Sequence, residues 1–169
     1  MSRPELLPQA HWKVLVVDDV SAMRSLMRAL LREFGITEVK QASDGGEALL
    51  HLAHARFDLV ISDLSMAPIN GLEMLRKLRQ PGGLNAFVPV LMVSGHNDAH
   101  NVAMALAAGV TDFLTKPLTA SALAQRLQAI AVRNVRMVRA PQYWGPDRRR
   151  RNVAVNVDRR QSDAVQIEL

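Results

Sequence analysis

Short apolar runs alternate with amphipathic stretches along most of this chain. Residues 13–17 (Lys-Val-Leu-Val-Val) are a β-branched run that predicts a buried strand, and the run stops at Asp18-Asp19. Met23, Leu26, Met27, Leu30, Leu31 and Phe34 then recur at helical spacing. Arg24, Arg28 and Arg32 occupy the opposite face, and Gly35 ends the helix. Residues 38–42 predict a second, fainter strand, and Asp44-Gly45-Gly46 turns into a helix with Ala48, Leu49 and Leu52 inward. Residues 58–62 form a second apolar run that ends at Asp63. Pro68 and Asn70-Gly71 break the chain before a helix marked by Leu72, Leu75 and Leu78, and Pro81-Gly82-Gly83 is a loop. Residues 88–93 predict a strand ending at Ser94-Gly95, and residues 98–108 an Ala-rich helix stopped by Gly109. Residues 111–115 predict the fifth strand, ending at Lys116-Pro117. Residues 119–138 predict the last helix, with Leu123, Leu127, Ile130, Ala131 and Val138 on one face.

Five strands alternating with five helices, the strands apolar on both sides, predict an α/β fold: a doubly wound, five-stranded parallel sheet. Its crossovers should be right-handed. After Arg139 the pattern changes. Pro141, Gly145 and Pro146 mark a linker that carries Tyr143-Trp144 and is followed by four arginines at 148–151. Val153, Val155 and Val157 alternate, as do Val165, Ile167 and Leu169. The expected organisation is an N-terminal extension at 1–11, a domain at 12–138, and a basic, mostly flexible tail at 139–169. Two alternating stretches that short are marginal as a hairpin and better suited to a partner's sheet edge. The tail is too short for a helix-turn-helix output domain.

The 169 residues suit one domain with an appendage. Apolar residues make up 49% and charged residues 22%, which is ordinary globular usage. No run approaches the roughly 18 apolar residues of a membrane span. The first eleven residues lack the apolar core of a signal peptide, so a cytoplasmic protein without a membrane partner is expected. With no Cys, disulfides, thiolate metal sites and cysteine nucleophiles are excluded. The net charge of +5 is uneven: residues 1–138 hold 14 Lys and Arg against 12 acids, residues 139–169 hold 7 Arg against 4. The basic balance therefore owes much to the tail and does not point to a nucleic-acid-binding domain. Neither G-x-G-x-x-G nor G-x-x-x-x-G-K-[ST] occurs.

The chemistry lies at strand ends. Four of the five predicted strands finish on polar groups: Asp18-Asp19, Asp63, Ser94 and Lys116. In open parallel sheets ligands bind beyond the carboxyl ends of the strands, so these chain-distant residues should share one pocket. Three clustered carboxylates repel one another unless a cation joins them. Mg²⁺ suits a site with few carboxylates that also holds waters and phosphate oxygens. A metal, a Lys and a hydroxyl together describe a phosphoryl site, and one carboxylate could be its nucleophile. His96 and His100 have the spacing of two ligands on one helix face, but no third ligand lies nearby and zinc is not expected.

The ordered set Asp18-Asp19, Asp63, Ser94-Gly95, Phe113 and Lys116-Pro117, with Asp63-Leu-Ser-Met66 before Asn70-Gly71, resembles the receiver domain of bacterial two-component response regulators. The likeness is to the stand-alone, chemotaxis-regulator type and covers about residues 12–138. It implies a flavodoxin-like sheet of order 2-1-3-4-5. It implies that Asp63 accepts a phosphoryl group from a sensor histidine kinase or phosphotransfer protein, switching the binding of a downstream protein target. Asp19, Asp63 and the backbone carbonyl of Ser65 would ligate Mg²⁺, with Asp18 acting through a metal-bound water. Ser94 and Lys116 would contact the phosphoryl oxygens, and Phe113 would be the aromatic switch. A homodimer through the face of the fourth helix, fifth strand and fifth helix is compatible with this likeness. Three departures stand out: Ala67 precedes Pro68 where the family usually has Pro directly after Met, Phe113 replaces the common Tyr, and Ser94 replaces Thr. The rivals are a metal-dependent phosphatase or phosphotransferase on the same sheet, which would need an acid that Ala67-Pro68-Ile69 does not supply, and a nucleic-acid binder acting through the Arg-rich tail.

Overall fold

In a computed structural model, residues 7–95, 99–132, 137–140 and 143–146 are described. The strands are β1 (Lys13–Val17), β2 (Glu38–Ala42), β3 (Leu59–Asp63), β4 (Val90–Ser94) and β5 (Asp112–Thr115). They pair in parallel in the order β2-β1-β3-β4-β5. The helices between and after them are α1 (Ser21–Glu33), α2 (Gly45–His54), α3 (Gly71–Leu78), α4 (Ala99–Ala108) and α5 (Ala120–Val132). Both the class and the strand order predicted from the sequence are observed.

The pleat divides the core in two. Leu15, Val17, Val60, Val90 and Met92 face Ala48, Leu52, Met74, Leu75, Leu78 and Ala105, which belong to α2, α3 and α4. Val14, Val16, Leu59, Ile61, Leu91, Val93 and Leu114 face Met27, Leu31, Leu123, Leu127 and Ile130 of α1 and α5. β3 and β4 therefore bury every residue, and β1 all but Lys13, because alternate side chains enter opposite layers. β2 lies at one edge and pairs only with β1, which explains its weaker pattern.

Local chemistry sets the helix starts. The Asp44 side chain accepts from the N–H groups of Gly46 (2.6 Å) and Glu47 (3.1 Å), capping α2. Glu47 reaches back to Ser43, whose N–H and hydroxyl hold its carboxyl below the usual range. Asn70 caps α3 by accepting from the Glu73 N–H at 2.8 Å. α1 differs: its N-cap is Val20, with no side-chain cap. Asp19 is thus not used as a cap.

Two boundaries depart from the sequence reading. Leu7 and Gln9 are buried, Trp12 packs on the α1–α5 layer, and the Leu7 N–H donates to the Phe34 carbonyl at 3.1 Å. Leu7 and Gln9, assigned above to an extension, are thus buried against the domain. α5 stops at Val132, which is 85% exposed, and not at residue 138. Val138 is not on a helix face but in β6 (Met137–Ala140), which pairs antiparallel with β7 (Tyr143–Pro146). The β-branched Val138 suits a strand better than a helix. β7, which contains Tyr143 and Trp144, lies beside α4. The arginines at 148–151 and the alternating stretches at 153–157 and 165–169 fall outside the described residues.

Asn85 is a fold-defining residue with no signal in the sequence pattern. It is buried, donates to the carbonyls of Leu52 and Ala55 (both 2.6 Å) at the end of α2, and accepts from the Phe57 N–H at 2.9 Å. Removing it leaves three main-chain groups in the interior without their partner. Asn85→Ala should cost about 2–4 kcal/mol. The check is a lower urea midpoint at unchanged slope.

Candidate functional site

The carboxyl ends of β1, β3, β4 and β5 converge on one edge of the domain. Val17 pairs with Ser62, Asp63 with Val93, and Ser94 with Thr115. That register places Asp18 and Asp19, Asp63, Ser94 and Lys116 side by side although they span nearly a hundred residues. Ligand oxygens of Asp18, Asp19 and Asp63 all lie within 4.8 Å of one another. Lys116 Nζ is 3.1 Å from Asp63 Oδ2 and 4.0 Å from Asp18 Oδ2. The main chain holds that lysine in place, since the Lys116 N–H donates to the Ser94 carbonyl at 2.9 Å.

Asp63 is buried as the last residue of the central strand β3. Its Oδ1 accepts from the Ser65 N–H at 3.2 Å, so the turn after the strand orients the carboxylate. Asp18 is also buried. Burial pushes its carboxyl above the usual range, and the charges of Asp63 and Asp19 push the same way. The Val20 N–H, which donates to Asp18 Oδ1 at 2.8 Å, and the Lys116 ammonium pull it back. Arg24 Nη1 donates to the Asp18 carbonyl at 2.6 Å and ties α1 to this edge. Asp19 is exposed, so one face of the cluster opens to solvent.

Three carboxylates and one ammonium leave an excess of negative charge in a partly desolvated site. Burial is the main penalty on ionised Asp18, and that excess adds to it. An all-oxygen donor set with an open face fits a hard divalent cation that keeps several waters.

Asp18 and Asp63 border a gap of about 10 Å³ whose other walls are apolar, among them Val16, Met27, Ile61 and Leu118, with room for about one water. A separate open cleft of about 470 Å³ adjoins the site at Asp19 and Ser65 and is lined also by Ala67, Asn70 and Asn101. Its walls also include Leu64, Met66 and Leu72. No acid enters from residues 67–69, so the general acid that a phosphatase would need is not supplied there.

Among the other residues singled out from the sequence, Ser94 is buried at the end of β4. Phe113 is half-buried, pairs with Met92 across the β4–β5 ladder and packs against the α2–α4 layer. His96 lies outside the described residues. Three further groups brace the site and its strands, and the sequence reading singles out only Gly71 of them, as part of a chain break. Asp112, buried at the start of β5, pairs with Arg126 of α5 at 3.4 Å. Arg79, also buried, donates to the carbonyls of Gly109 (3.1 Å) and Ala86 (2.9 Å). Gly71 is pressed against the Asp63 carbonyl. An acid in an apolar strand is a readable signal for Asp112, and Asn70-Gly71 marks a turn; Arg79 has no such signal.

Known proteins agree with this geometry. Residues 14–128 match the response regulator receiver domain family. The chemotaxis protein CheY of Pseudomonas aeruginosa is 36% identical over 118 residues, covering 70% of this chain and 94% of that protein. The structure of Vibrio cholerae chemotaxis protein CheY4 superposes with a TM-score of 0.66 at 34% identity, covering 70% of this chain and 98% of that one. The receiver domain of the P. aeruginosa sensor histidine kinase PA1611 was solved with a magnesium ion coordinated in its active-site cleft. It superposes with a TM-score of 0.64 at 25% identity, covering 71% of this chain and 98% of that domain. With the sheet order, the strand-end cluster and these matches in agreement, the chain belongs to the response regulator receiver domain family.

Proposed function

We propose that Asp63 is the phosphoacceptor of this receiver and that its phosphorylation switches the binding of a downstream protein. One observation carries the reading: a buried carboxylate at the end of the central strand, 3.1 Å from a lysine ammonium, with two further carboxylates within 4.8 Å. The phosphodonor is a phosphohistidine of a sensor kinase or phosphotransfer protein. Asp19, Asp63 and the Ser65 carbonyl would hold Mg²⁺, with Asp18 reaching it through a water. When bound, that ion neutralises charge on the phosphoryl oxygens and on the acidic cluster. Lys116 and the Ser94 hydroxyl then contact the phosphoryl group. Both residues sit where β4 and β5 end, so the new contacts bias those strands and the helices beside them. Phe113, lying half-buried in β5, is placed to respond to a shift of Ser94 on the neighbouring strand. A domain with two states needs only a few kcal/mol of such bias to change its binding face. The output face is formed by α4, β5 and α5. No described helix is long and apolar enough to cross a membrane.

The test is incubation of the full chain with acetyl phosphate and Mg²⁺, followed by intact mass and peptide mapping. A single alkali-labile phosphoryl group on Asp63 is the expected result. No label, or label on another residue, overturns the reading. The metal role has its own check. At ten times its Kd, Mg²⁺ should stabilise the wild-type fold by about 1.4 kcal/mol, a thermal shift of a few degrees. Asp19→Ala should show neither that shift nor labelling above a trace.

A further inference from the structure

The open cleft that adjoins the site at Asp19 and Ser65 is larger than a phosphoryl group and a hydrated ion require, and Asn101 of α4 lines its far wall. We propose that this cleft receives the leaving group of the phosphodonor and that Asn101 is the residue that recognises it. The assignment rests on the phosphoacceptor reading of Asp63 and adds a specificity determinant to it.

The cleft offers the donor an approach past Asp19 and Ser65. On one side Asp63 is met by Lys116 at 3.1 Å, and the gap bordered by Asp63, about 10 Å³, is too small for any organic group. The cleft of about 470 Å³ begins at Asp19 and Ser65, and Ser65 is joined to Asp63 by a main-chain hydrogen bond of 3.2 Å. It extends past Asn70 to Asn101 on α4. Its lining is mixed: Leu64, Met66 and Leu72 offer apolar surface, and the two carboxamides offer polar edges. A small planar group with an apolar body and a polar rim, such as an imidazole, fits that chemistry.

The two carboxamides are not equivalent. Asn70 already spends its oxygen on the Glu73 N–H as the cap of α3. The Asn101 side chain has no hydrogen-bond partner among the described residues, so both its donor and its acceptor remain for a ligand. In the transfer, a carboxylate oxygen of Asp63 forms the O–P bond as the P–N bond of the phosphoimidazole breaks. The bonding electron pair stays on the nitrogen. The ring enters protonated on its other nitrogen and leaves as neutral imidazole, whose N–H can donate to the Asn101 oxygen. Acetyl phosphate leaves acetate instead, which can accept from the Asn101 amide. Phosphoramidate leaves ammonia, which lacks the ring or carboxylate that would pair with Asn101.

This difference sets the experiment. The full chain and its Asn101→Ala variant are labelled with monophosphoimidazole, acetyl phosphate and phosphoramidate, each with saturating Mg²⁺. Asn101→Ala should slow labelling by the first two donors about 5- to 10-fold, the worth of one hydrogen bond. Labelling by phosphoramidate, Mg²⁺ affinity and the lifetime of the phosphorylated protein should stay within about twofold. Asn101→Gln, which keeps the carboxamide, should recover most of the loss. Equal slowing with all three donors would mean a general structural effect, and no slowing with any would mean that the cleft wall is idle; either overturns the assignment. A wild-type chain that none of the donors labels overturns the phosphoacceptor reading itself, and this assignment with it.

Discussion

Asp63→Asn abolishes labelling by acetyl phosphate while leaving the fold intact. The carboxamide has nearly the shape of the carboxylate, so it can still accept from the Ser65 N–H that now bonds Asp63 Oδ1 at 3.2 Å. What it lacks is an anionic oxygen to form the O–P bond and to share a divalent ion. It also lacks the charge that pairs with Lys116 at 3.1 Å. The predicted change is complete: no base-labile phosphoryl group by intact mass, against one per chain in the wild type. Mg²⁺ affinity falls as well, since one of three clustered carboxylates is gone. Undiminished labelling of Asp63→Asn would move the phosphoacceptor elsewhere. The neighbouring carboxylates Asp18 and Asp19 would then be the first places to look.

The second large effect comes from a residue with no side chain. Gly71 opens α3, and its N–H donates to the Leu64 carbonyl at 3.1 Å. A Cβ built there would fall inside the contact distance of the Asp63 carbonyl oxygen and within 3.2 Å of Leu64 Cα. Both are main-chain atoms of the turn that aims Asp63, so nothing flexible can move aside. Gly71→Ala must therefore push α3 away from the end of β3. Overpacking of this kind costs about 1–3 kcal/mol, and the thermal midpoint should drop by on the order of 10 °C. Labelling should fall with it, even in the folded protein, because the turn that holds the carboxylate is displaced. Gly83→Ala is the control. A Cβ there meets nothing closer than 3.8 Å in an exposed loop, and the change should be worth less than about 0.5 kcal/mol. Equal stability and labelling in the two variants would show that the close approach at Gly71 is not what shapes the turn.

Bracing at a distance from the carboxylates matters for a different reason. Arg79 links the end of α3 to the segment before β4 and to the turn before β5. Asp112 and Arg126 join β5 to α5. These contacts connect the elements on which a switch at Ser94 and Lys116 would act. The hairpin of β6 and β7 lies on the same side, beside α4, so the chain's own C-terminal segment adjoins the proposed output face.

Most of this protein's plan is a local property of its sequence. A strand buried on both sides must be apolar at every position, and an amphipathic helix must repeat at 3.6 residues. Val14–Val17, Leu59–Ile61 and the stripe from Met23 to Phe34, apart from exposed Leu26, follow those rules. The parallel topology then places every carboxyl end on one edge, so Asp18, Asp19, Asp63, Ser94 and Lys116 were legible as one site before any coordinates. Tertiary structure decided what periodicity does not encode. Asn85, Arg79 and Gly71 matter because particular main-chain groups arrive beside them from other parts of the chain, and Asn101 because, from α4, it lines the far wall of a cleft that starts at Asp19 and Ser65. Leu7 and Gln9 read as an extension because a few residues show no period, yet α1 and α5 leave a surface on which they are buried. The end of α5 was misjudged for a related reason: a branched, Arg-spaced segment can serve helix or strand, and the choice fell to the pairing offered by residues 143–146.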